Sequence, residues 1–503
     1  MPPLGTSAPS GAWGETMRLR ILAALGAAAA LAACGSSSAH PAPAPPSGPT
    51  GQHGVAFGTP GPWPVANVTY GGADGIRESP VVGISTDEAQ DRWVATPDAL
   101  YLMRPADKAY RRYDAADGLH LGGNPTYYCD DHPMSSPSQH CGGSVSTGAG
   151  WAITKIVGGA PGEVFVGYAG TDPDGLITCP PKDVTLVDAG ADYCDPARHT
   201  GKLDRVHVGA DGSLTVDRMD LVANQEGGNF WHDRTVQSLA FDHFVHPHTL
   251  YVGTNHGVTI LFPDRFRMPQ PGEWYDSAYS EWMGDHLHAR VCDPGPCPAN
   301  SEGPQRMGDW AGVAVDATGN LWHAGRWTAG LITWDANPVD WFQRNGRAFA
   351  IAFGDPYPLA PDANGFTNEP VFKVAREGDS VYLTGVAVCP DGRVWFSSRG
   401  PQSGTSDTVA VWDGKSFQSF PATRLGLGES SVKDVACLPD GRVVLGGYGT
   451  GAVIWDPAKG TSQPVPGLPS GAILDLEVDR MVSPPTLHVA TAGGAAALRV
   501  LPP

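Results

Sequence analysis

A chain of 503 residues with 52 acidic against 33 basic side chains carries a formal net charge of −19. Nucleic acid needs a basic surface, so that class of partner is excluded, and an anionic lipid surface would repel the folded body. The 65 glycines and 47 prolines, beside 41% hydrophobic residues, suit an all-β protein with a large core and many turns.

The first predicted element is an export signal. Arg18 and Arg20 form a positive stretch, and Ile21 to Leu31 is an apolar run too short to span a bilayer comfortably. Met17 is the expected start, because residues 1–16 add nothing to such a signal. The run ends in Leu31-Ala32-Ala33-Cys34-Gly35, followed by Ser36 to Ser38. This resembles the lipobox of bacterial lipoproteins. The resemblance implies that Cys34 is diacylated and becomes the mature N-terminus, with Gly35 suiting outer-membrane sorting in a Gram-negative cell. The alternative is an ordinary signal peptide in which Cys34 is incidental. Residues 1–33 are therefore read as a lipoprotein signal peptide and 34–55 as a disordered Pro-, Ser- and Gly-rich tether with too few apolar side chains for a core. Residues 56–503 are read as the folded body.

The body repeats one pattern: an apolar β-prone run, a turn, a second run, then a third. Val81 to Ile84, Arg92 to Thr96, Ala99 to Leu102 and Ala109 to Tyr113 form the first copy. The second begins near Trp151, continues through Glu163 to Tyr168 and ends with Leu203 to Leu221. A third spans Thr235 to about Phe266, followed by a long excursion, Met268 to Gly308. The fourth runs from Trp310 to about Phe342, with its outer strand expected in the stretch from Arg347 to Gly378. Copies five and six carry the same turn, Pro390-Asp391-Gly392-Arg393 and Pro439-Asp440-Gly441-Arg442. The seventh, Ala472 to Leu501, lacks a fourth strand, which Trp63 to Tyr70 is expected to supply. Such a repeat predicts a seven-bladed β-propeller, all-β, with the surplus length in loop insertions. Tyr251-Val252-Gly253-Thr254 with Gly257-Val258 resembles the blade motif of bacterial two-component-regulator-type propellers, and WD40-like repeats are a comparable match. In that family the propellers sense extracellular ligands when fused to a kinase. No kinase or membrane segment is expected after Leu501.

Without Cys34, eight of the nine cysteines remain, an even number that suits an oxidising compartment. Cys129–Cys141, Cys179–Cys194 and Cys292–Cys297 each bracket a polar loop and read as local clips. Cys389 immediately precedes its Pro-Asp-Gly-Arg turn, whereas Cys437 sits two residues before the matching one. A one-residue offset reverses the face of a strand, so these two side chains are expected to meet across neighbouring blades as a disulfide.

Loops leading into the inner strands converge at one mouth of a propeller's channel. Here they carry Arg77 and Glu78, then His232, Asp233 and Arg234, then Arg306 and Asp309, Glu377 and Asp379, and Glu429. Arg77, Glu78, His232, Asp233, Arg234, Asp309 and Glu429 are the candidate ligand-binding set. The alternating pairs His246/His248 and His286/His288 place two rings on one side of an extended segment, a spacing that would suit a divalent metal, although surface histidines explain them as well. No other cofactor is predicted. Trp231, Trp274, Trp282, Trp310 and Trp327 offer faces for sugars, with blade packing the plainer role.

The sequence thus predicts a cell-envelope binding or scaffold module, held to a membrane through the Cys34 lipid, with an envelope protein or a small-molecule or glycan ligand as partner. The alternative is a hydrolase or lyase at the channel mouth, with His232 as base and Asp233 or Glu429 to orient it.

Overall fold

The computed structural model describes residues 67–70, 72–119, 121, 152–169, 203–219, 236–254, 258–267, 282–287, 310–325, 328–332, 346–350, 383–400, 407–414 and 416–500. The chain divides into two units, Met1–Thr50 and Gly51–Pro503, and every described residue lies in the second.

That unit is a seven-bladed β-propeller of seven four-stranded antiparallel sheets. From the inner strand outward, blade 1 is Gly83–Thr86, Arg92–Thr96, Ala99–Met103 and Arg111–Tyr113. Blade 2 is Ala152–Gly158, Glu163–Ala169, Leu203–Val208 and Leu214–Arg218. Blade 3 is Val236–Asp242, Thr249–Thr254, Val258–Leu261 and Met283–Leu287, and blade 4 is Trp310–Val315, Leu321–Gly325, Thr328–Ile332 and Gly346–Ala350. Blade 5 is Leu383–Val388, Val394–Ser398, Val409–Trp412 and Phe417–Phe420, and blade 6 is Val432–Cys437, Val443–Gly447, Ala452–Asp456 and Thr461–Pro464. Blade 7 takes Ile473–Asp479, Thr486–Thr491 and Gly494–Arg499 from the C-terminal end, and its outer strand, Asn67–Tyr70, from the N-terminal side of blade 1. The ring is closed there in the register Asn67↔Leu498 to Tyr70↔Ala495. One expectation is corrected. The stretch after Phe266 is not wholly an excursion, because Met283–Leu287 within it pairs with Val258–Leu261 as blade 3's outer strand.

Each blade buries both faces against its neighbours, so the second strands read as unbroken apolar runs rather than as alternation. Glu163–Tyr168, Thr249–Thr254, Leu321–Gly325, Val394–Ser398 and Val443–Gly447 are buried at every position. The outer strands Phe417–Phe420 and Thr461–Pro464 stay largely accessible.

A small residue recurs one or two steps from the end of each second strand: Ala95, Gly167, Gly253, Ala324, Ser397, Gly446 and Ala490. Its cause is visible at the blade contacts. A Cβ on Gly167 would run into the Val236 side chain of blade 3, one on Gly253 would meet the backbone oxygen of Trp310 in blade 4, and one on Gly446 would sit 2.7 Å from Cγ2 of Ile473 in blade 7. In these three contacts the first residue of the following inner strand is the knob, and the glycine is its hole.

Cys389 and Cys437 form a disulfide between blades 5 and 6, with Cα atoms 5.3 Å apart. The N–H of Cys389 bonds the Arg393 carbonyl at 2.8 Å, whereas in blade 6 the equivalent bond, to Arg442, comes from Leu438. Cys437 is therefore one residue out of step with Cys389 and faces the opposite way, as the offset predicted. Cys129, Cys141, Cys179, Cys194, Cys292 and Cys297 lie outside the described residues.

Gly446→Leu forces a branched side chain into an occupied hole, an overpacking that costs about 1–3 kcal/mol. Its calorimetric Tm is expected to fall by several degrees. Gln463→Leu, on the exposed outer strand of the same blade, is expected to leave Tm unchanged.

The central channel as the candidate functional site

The inner strands of blades 3 to 7 each carry a β-bulge after their first residue, at Gln237, Ala311, Thr384, Lys433 and Leu474, and that of blade 2 carries one after its second, at Thr154. A bulge re-aims the next side chain. Those next residues are Lys155, Ser238, Gly312, Gly385, Asp434 and Asp475, and Gly83 holds the same level in blade 1 opposite Ala95. Together they make a ring around the channel, each member placed against the following blade. A Cβ on Gly312 would strike the Gly385–Val386 backbone, and one on Gly385 would sit 2.6 Å from Oδ1 of Asp434. Four uncharged members occupy blades 1, 3, 4 and 5, while the charged three come from blades 6, 7 and 2.

The charged members form one network. Lys155 of blade 2 reaches across blade 1 and pairs with Asp475 of blade 7. The gap it crosses is left by Gly83, whose Cβ would stand 3.7 Å from Oδ2 of Asp475. Asp434 accepts from its neighbour's N–H at Val435 (2.8 Å) and from Leu476 of blade 7 (2.9 Å). Glu477, two residues after Asp475 on the same side of the strand, accepts from Ser85 Oγ of blade 1 at 2.8 Å, and Ser85 Oγ in turn accepts from the N–H of Gly158 in blade 2.

Burial sets the protonation here. It pushes Glu477 up to about 8, with Asp475 and Asp479 adding to the shift and the Ser85 bond opposing it, so Glu477 is mainly neutral at pH 7. Burial also raises Asp434, against the pull of Lys155. For Lys155 burial acts downward, but Asp475 and Asp434 outweigh it and its pKa rises. Lys433, the bulge residue beside Asp434, is lowered by burial and by Lys155. It has no hydrogen bond or ion pair to any described residue.

The channel opens at the loops that follow the inner strands, into a cavity of about 350 Å³. Lys155, Asp434, Asp475 and Glu477 lie in its wall, and Phe244, Val245, Pro390, Pro439 and Met481 stand around its mouth. Arg480 of blade 7 extends over this mouth and donates from Nη2 to the carbonyls of Val388 in blade 5 and Cys437 in blade 6, both at 3.0 Å. At the other end of the channel, Lys433 and Arg399 lie near Tyr448, the large apolar side chain with most exposure among those described, at 38%.

The residues singled out from the sequence are placed differently. Glu78 accepts from Nε of Arg112 on its own blade's outer strand at 2.9 Å. Glu429 Oε1 takes the N–H groups of Gly449 and Thr450 and the Thr450 hydroxyl, at 2.8–2.9 Å, and so fixes a turn of blade 6. The N–H of Arg77 reaches the Tyr101 hydroxyl at 3.4 Å. The hydrogen bonds of all three lie within their own blades. His232, Asp233, Arg234, Arg306, Asp309, Glu377 and Asp379 lie outside the described residues.

His246 and His248 diverge. The His246 ring packs over Gly319 of blade 4, and burial lowers its pKa. His248 Nδ1 lies 2.6 Å from Asp264, with Glu88 of blade 1 at 3.6 Å from Nε2; burial pulls its pKa down but these carboxylates raise it overall. His288 is outside the described residues, and of His286 only the backbone, in blade 3's outer strand, is described. Among the described residues no group of three or more His, Cys, Asp or Glu side chains is arranged to hold a metal ion. Trp282 and Trp310 are buried, Trp310 edge-on to the fully buried His323 with centroids 4.3 Å apart.

Sequence reading passed over Lys155, Asp434, Asp475 and Glu477 because each sits inside an apolar strand run. A usable signal exists: Lys155, Asp434 and Asp475 each stand two or three residues into the inner strand, opposite the recurrent small residue.

No protein-family model matches the chain, and no curated protein matches it. Solved structures similar to it include a chain of the mitotic checkpoint complex, with 10% identity over 87% of this chain and 94% of that one and a TM-score of 0.45. The extracellular domain of a putative hybrid two-component system from B. thetaiotaomicron is 12% identical over 87% of this chain, with a TM-score of 0.45, and this chain spans 42% of its length. The WD40 β-propeller domain of Doa1 is 12% identical over 88% of this chain and 97% of that one, with a TM-score of 0.44. Likenesses this distant say nothing of ligand or partner.

Glu477 also links stability to pH. Its pKa is higher in the folded chain than in the unfolded one, so the folded state holds the extra proton between about 4.5 and 8. The stability this proton supports is complete below about 4.5 and is lost as pH rises through about 8. Glu477→Gln is a neutral isostere that keeps an acceptor for Ser85. Thermal scans from pH 5 to 9 are expected to show the wild type losing Tm relative to Glu477→Gln as pH rises from 5 to about 8; parallel curves over that range would contradict the buried neutral carboxyl.

Proposed function

We propose that this protein is an envelope-anchored binding module whose recognition site is the central channel. One observation carries the reading. A buried cluster of opposite charges, Lys155, Lys433, Asp434 and Asp475, lies along a channel whose cavity, about 350 Å³, is of the size that small-molecule sites occupy. Lys433 and the raised Asp434 are incompletely compensated within the described chain, and such groups bind polar ligands when a channel admits them. The lipobox-like run ending at Cys34 supplies the anchor, and residues 34–55 the spacing from the membrane. No helix among the described residues is long and apolar enough to cross a membrane. The partner is a small polar or amphiphilic molecule or a glycan, and the outer faces of the blades leave room for an envelope protein as well.

A second reading has an observation of its own. Glu477, raised to about 8, and the raised Asp434 share one channel with two lysines, and carboxyls held apart in protonation are what acid–base catalysis uses. On that reading the channel holds a hydrolase or lyase.

Native mass spectrometry of the protein, released gently from the cells that make it, tests the first reading. Wild-type protein is expected to carry a non-covalent small-molecule adduct and the mass of a diacylglyceryl group. Ala317→Trp combined with Val482→Trp, which narrows the mouth, is expected to lose the adduct and keep the lipid. Cys34→Ser is expected to do the reverse. An adduct recovered chemically altered after incubation with wild type alone favours the enzyme. An adduct retained by the narrowed variant contradicts the channel site.

A further inference from the structure

Arg480 is a cation without a counter-ion among the described residues. Burial lowers its pKa, and no carboxylate opposes that shift. The acid beside it in sequence, Asp479, is itself buried and accepts from the N–H of Met481 at 2.8 Å. No ion pair joins Arg480 to any described residue. A guanidinium has five N–H donors. Two are used on the Val388 and Cys437 carbonyls, so three remain for another acceptor. Leaving a half-buried charge uncompensated is costly, and in a chain of net charge −19 a lone cation at a channel mouth stands out against the general field.

The surroundings of this cation are largely apolar, with Asp242, Asp316 and Asp479 among them. Phe244 and Val245 from blade 3, Pro390 from blade 5, Pro439 from blade 6 and Met481 and Val482 from blade 7 line the mouth. The mouth thus combines a planar cation, whose fork matches a carboxylate, with an apolar collar and three acids whose oxygens already take N–H groups of their own loops. Along the strand, Arg480 lies five residues from Asp475, about 17 Å at the usual rise, so a ligand held here is separate from the charged ring below.

We infer that this mouth binds an amphiphilic monoanion, with its carboxylate on the free N–H groups of Arg480 and its apolar body against Phe244, Val245, Pro390, Pro439 and Val482. The inference rests on reading the channel as a ligand site and names the ligand class at its disulfide-bridged end. Arg480 is also a tie between blades 5, 6 and 7, and the test separates the two roles.

Isothermal titration calorimetry on the full chain carrying Cys34→Ser, which needs no detergent, measures binding of decanoate, decanol and decylammonium. Decanoate is expected to bind at least about tenfold more tightly than either neutral or cationic analogue, as a charge-assisted fork requires. Arg480→Met is expected to lose that preference and Arg480→Lys to keep part of it, with circular dichroism confirming the fold. Val482→Trp leaves the guanidinium in place and is expected to weaken decanoate by crowding its body, which keeps the test decisive if Arg480→Met does not fold. Equal binding of decanoate and decanol overturns the inference, as does undiminished binding by folded Arg480→Met. If decanoate does not bind while the native adduct still vanishes on narrowing the mouth, this inference falls and the channel reading stands. If neither is seen, both fall.

Discussion

Closing a ring of seven sheets brings blade 7 against blade 1, and at that joint the inner ring is held by charge. Lys155 reaches over Gly83 to Asp475, a pair separated by 320 residues in the chain. Beside it, Glu477, Ser85 and the N–H of Gly158 run as a relay through blades 7, 1 and 2, and Asp434 ties blade 6 to blade 7. The strand Asn67–Tyr70 closes the same joint on the outside by completing blade 7's sheet. The edge of Gly494–Arg499 that would otherwise stand open is thereby paired, and blade 7 has four strands like the other six. Blade 1 is clamped at its inner edge by a pair that bypasses it and at its flank by a strand from its own N-terminal side.

The same groups give the channel its chemistry. Around the inner ring, blades 1, 3, 4 and 5 contribute Gly83, Ser238, Gly312 and Gly385, and the charge falls on the remaining three. Buried charges are tolerable when paired and hydrogen-bonded, and breaking one partner away is costly. Asp475 and Lys155 satisfy each other. Glu477 escapes the cost by keeping its proton, while Lys433 and Arg480 remain cations without a carboxylate bonded to them among the described residues. Those exceptions, one near each end of the channel, are where a ligand has something to gain. Closure thus rests on Lys155, Asp475, Glu477 and Ser85, and the two cations without a bonded carboxylate lie outside that set.

The propeller was legible in the sequence because its second strands are buried on both faces and their apolar runs recur with a small residue near the end. Tyr251-Val252-Gly253-Thr254 is legible for that packing reason, since Gly253 is the hole for Trp310. The Cys389–Cys437 bridge followed from a one-residue offset in strand register. Met283–Leu287 was missed as a strand because outer strands face solvent and Met-Gly-Asp-His-Leu has no apolar run to announce one. The site was less legible. Glu78 and Glu429, charged and in loops, turned out to serve their own blades, because a loop carboxylate satisfies the nearest N–H or guanidinium first. The side chains that do converge, Lys155, Asp434, Asp475 and Glu477, are isolated charges inside apolar strands. Only the bulges, invisible in a sequence pattern, aim the first three at the ring.

A double-mutant cycle on Lys155→Met and Asp475→Asn, read by chemical denaturation, tests most directly whether this buried pair closes the ring. Each single variant strands a buried charge, so the double variant is expected to be more stable than the sum of the singles predicts, with a coupling of about 1–3 kcal/mol. Additive losses would mean that the two side chains do not act together, and the account of a charge-braced joint between blades 7, 1 and 2 would be wrong.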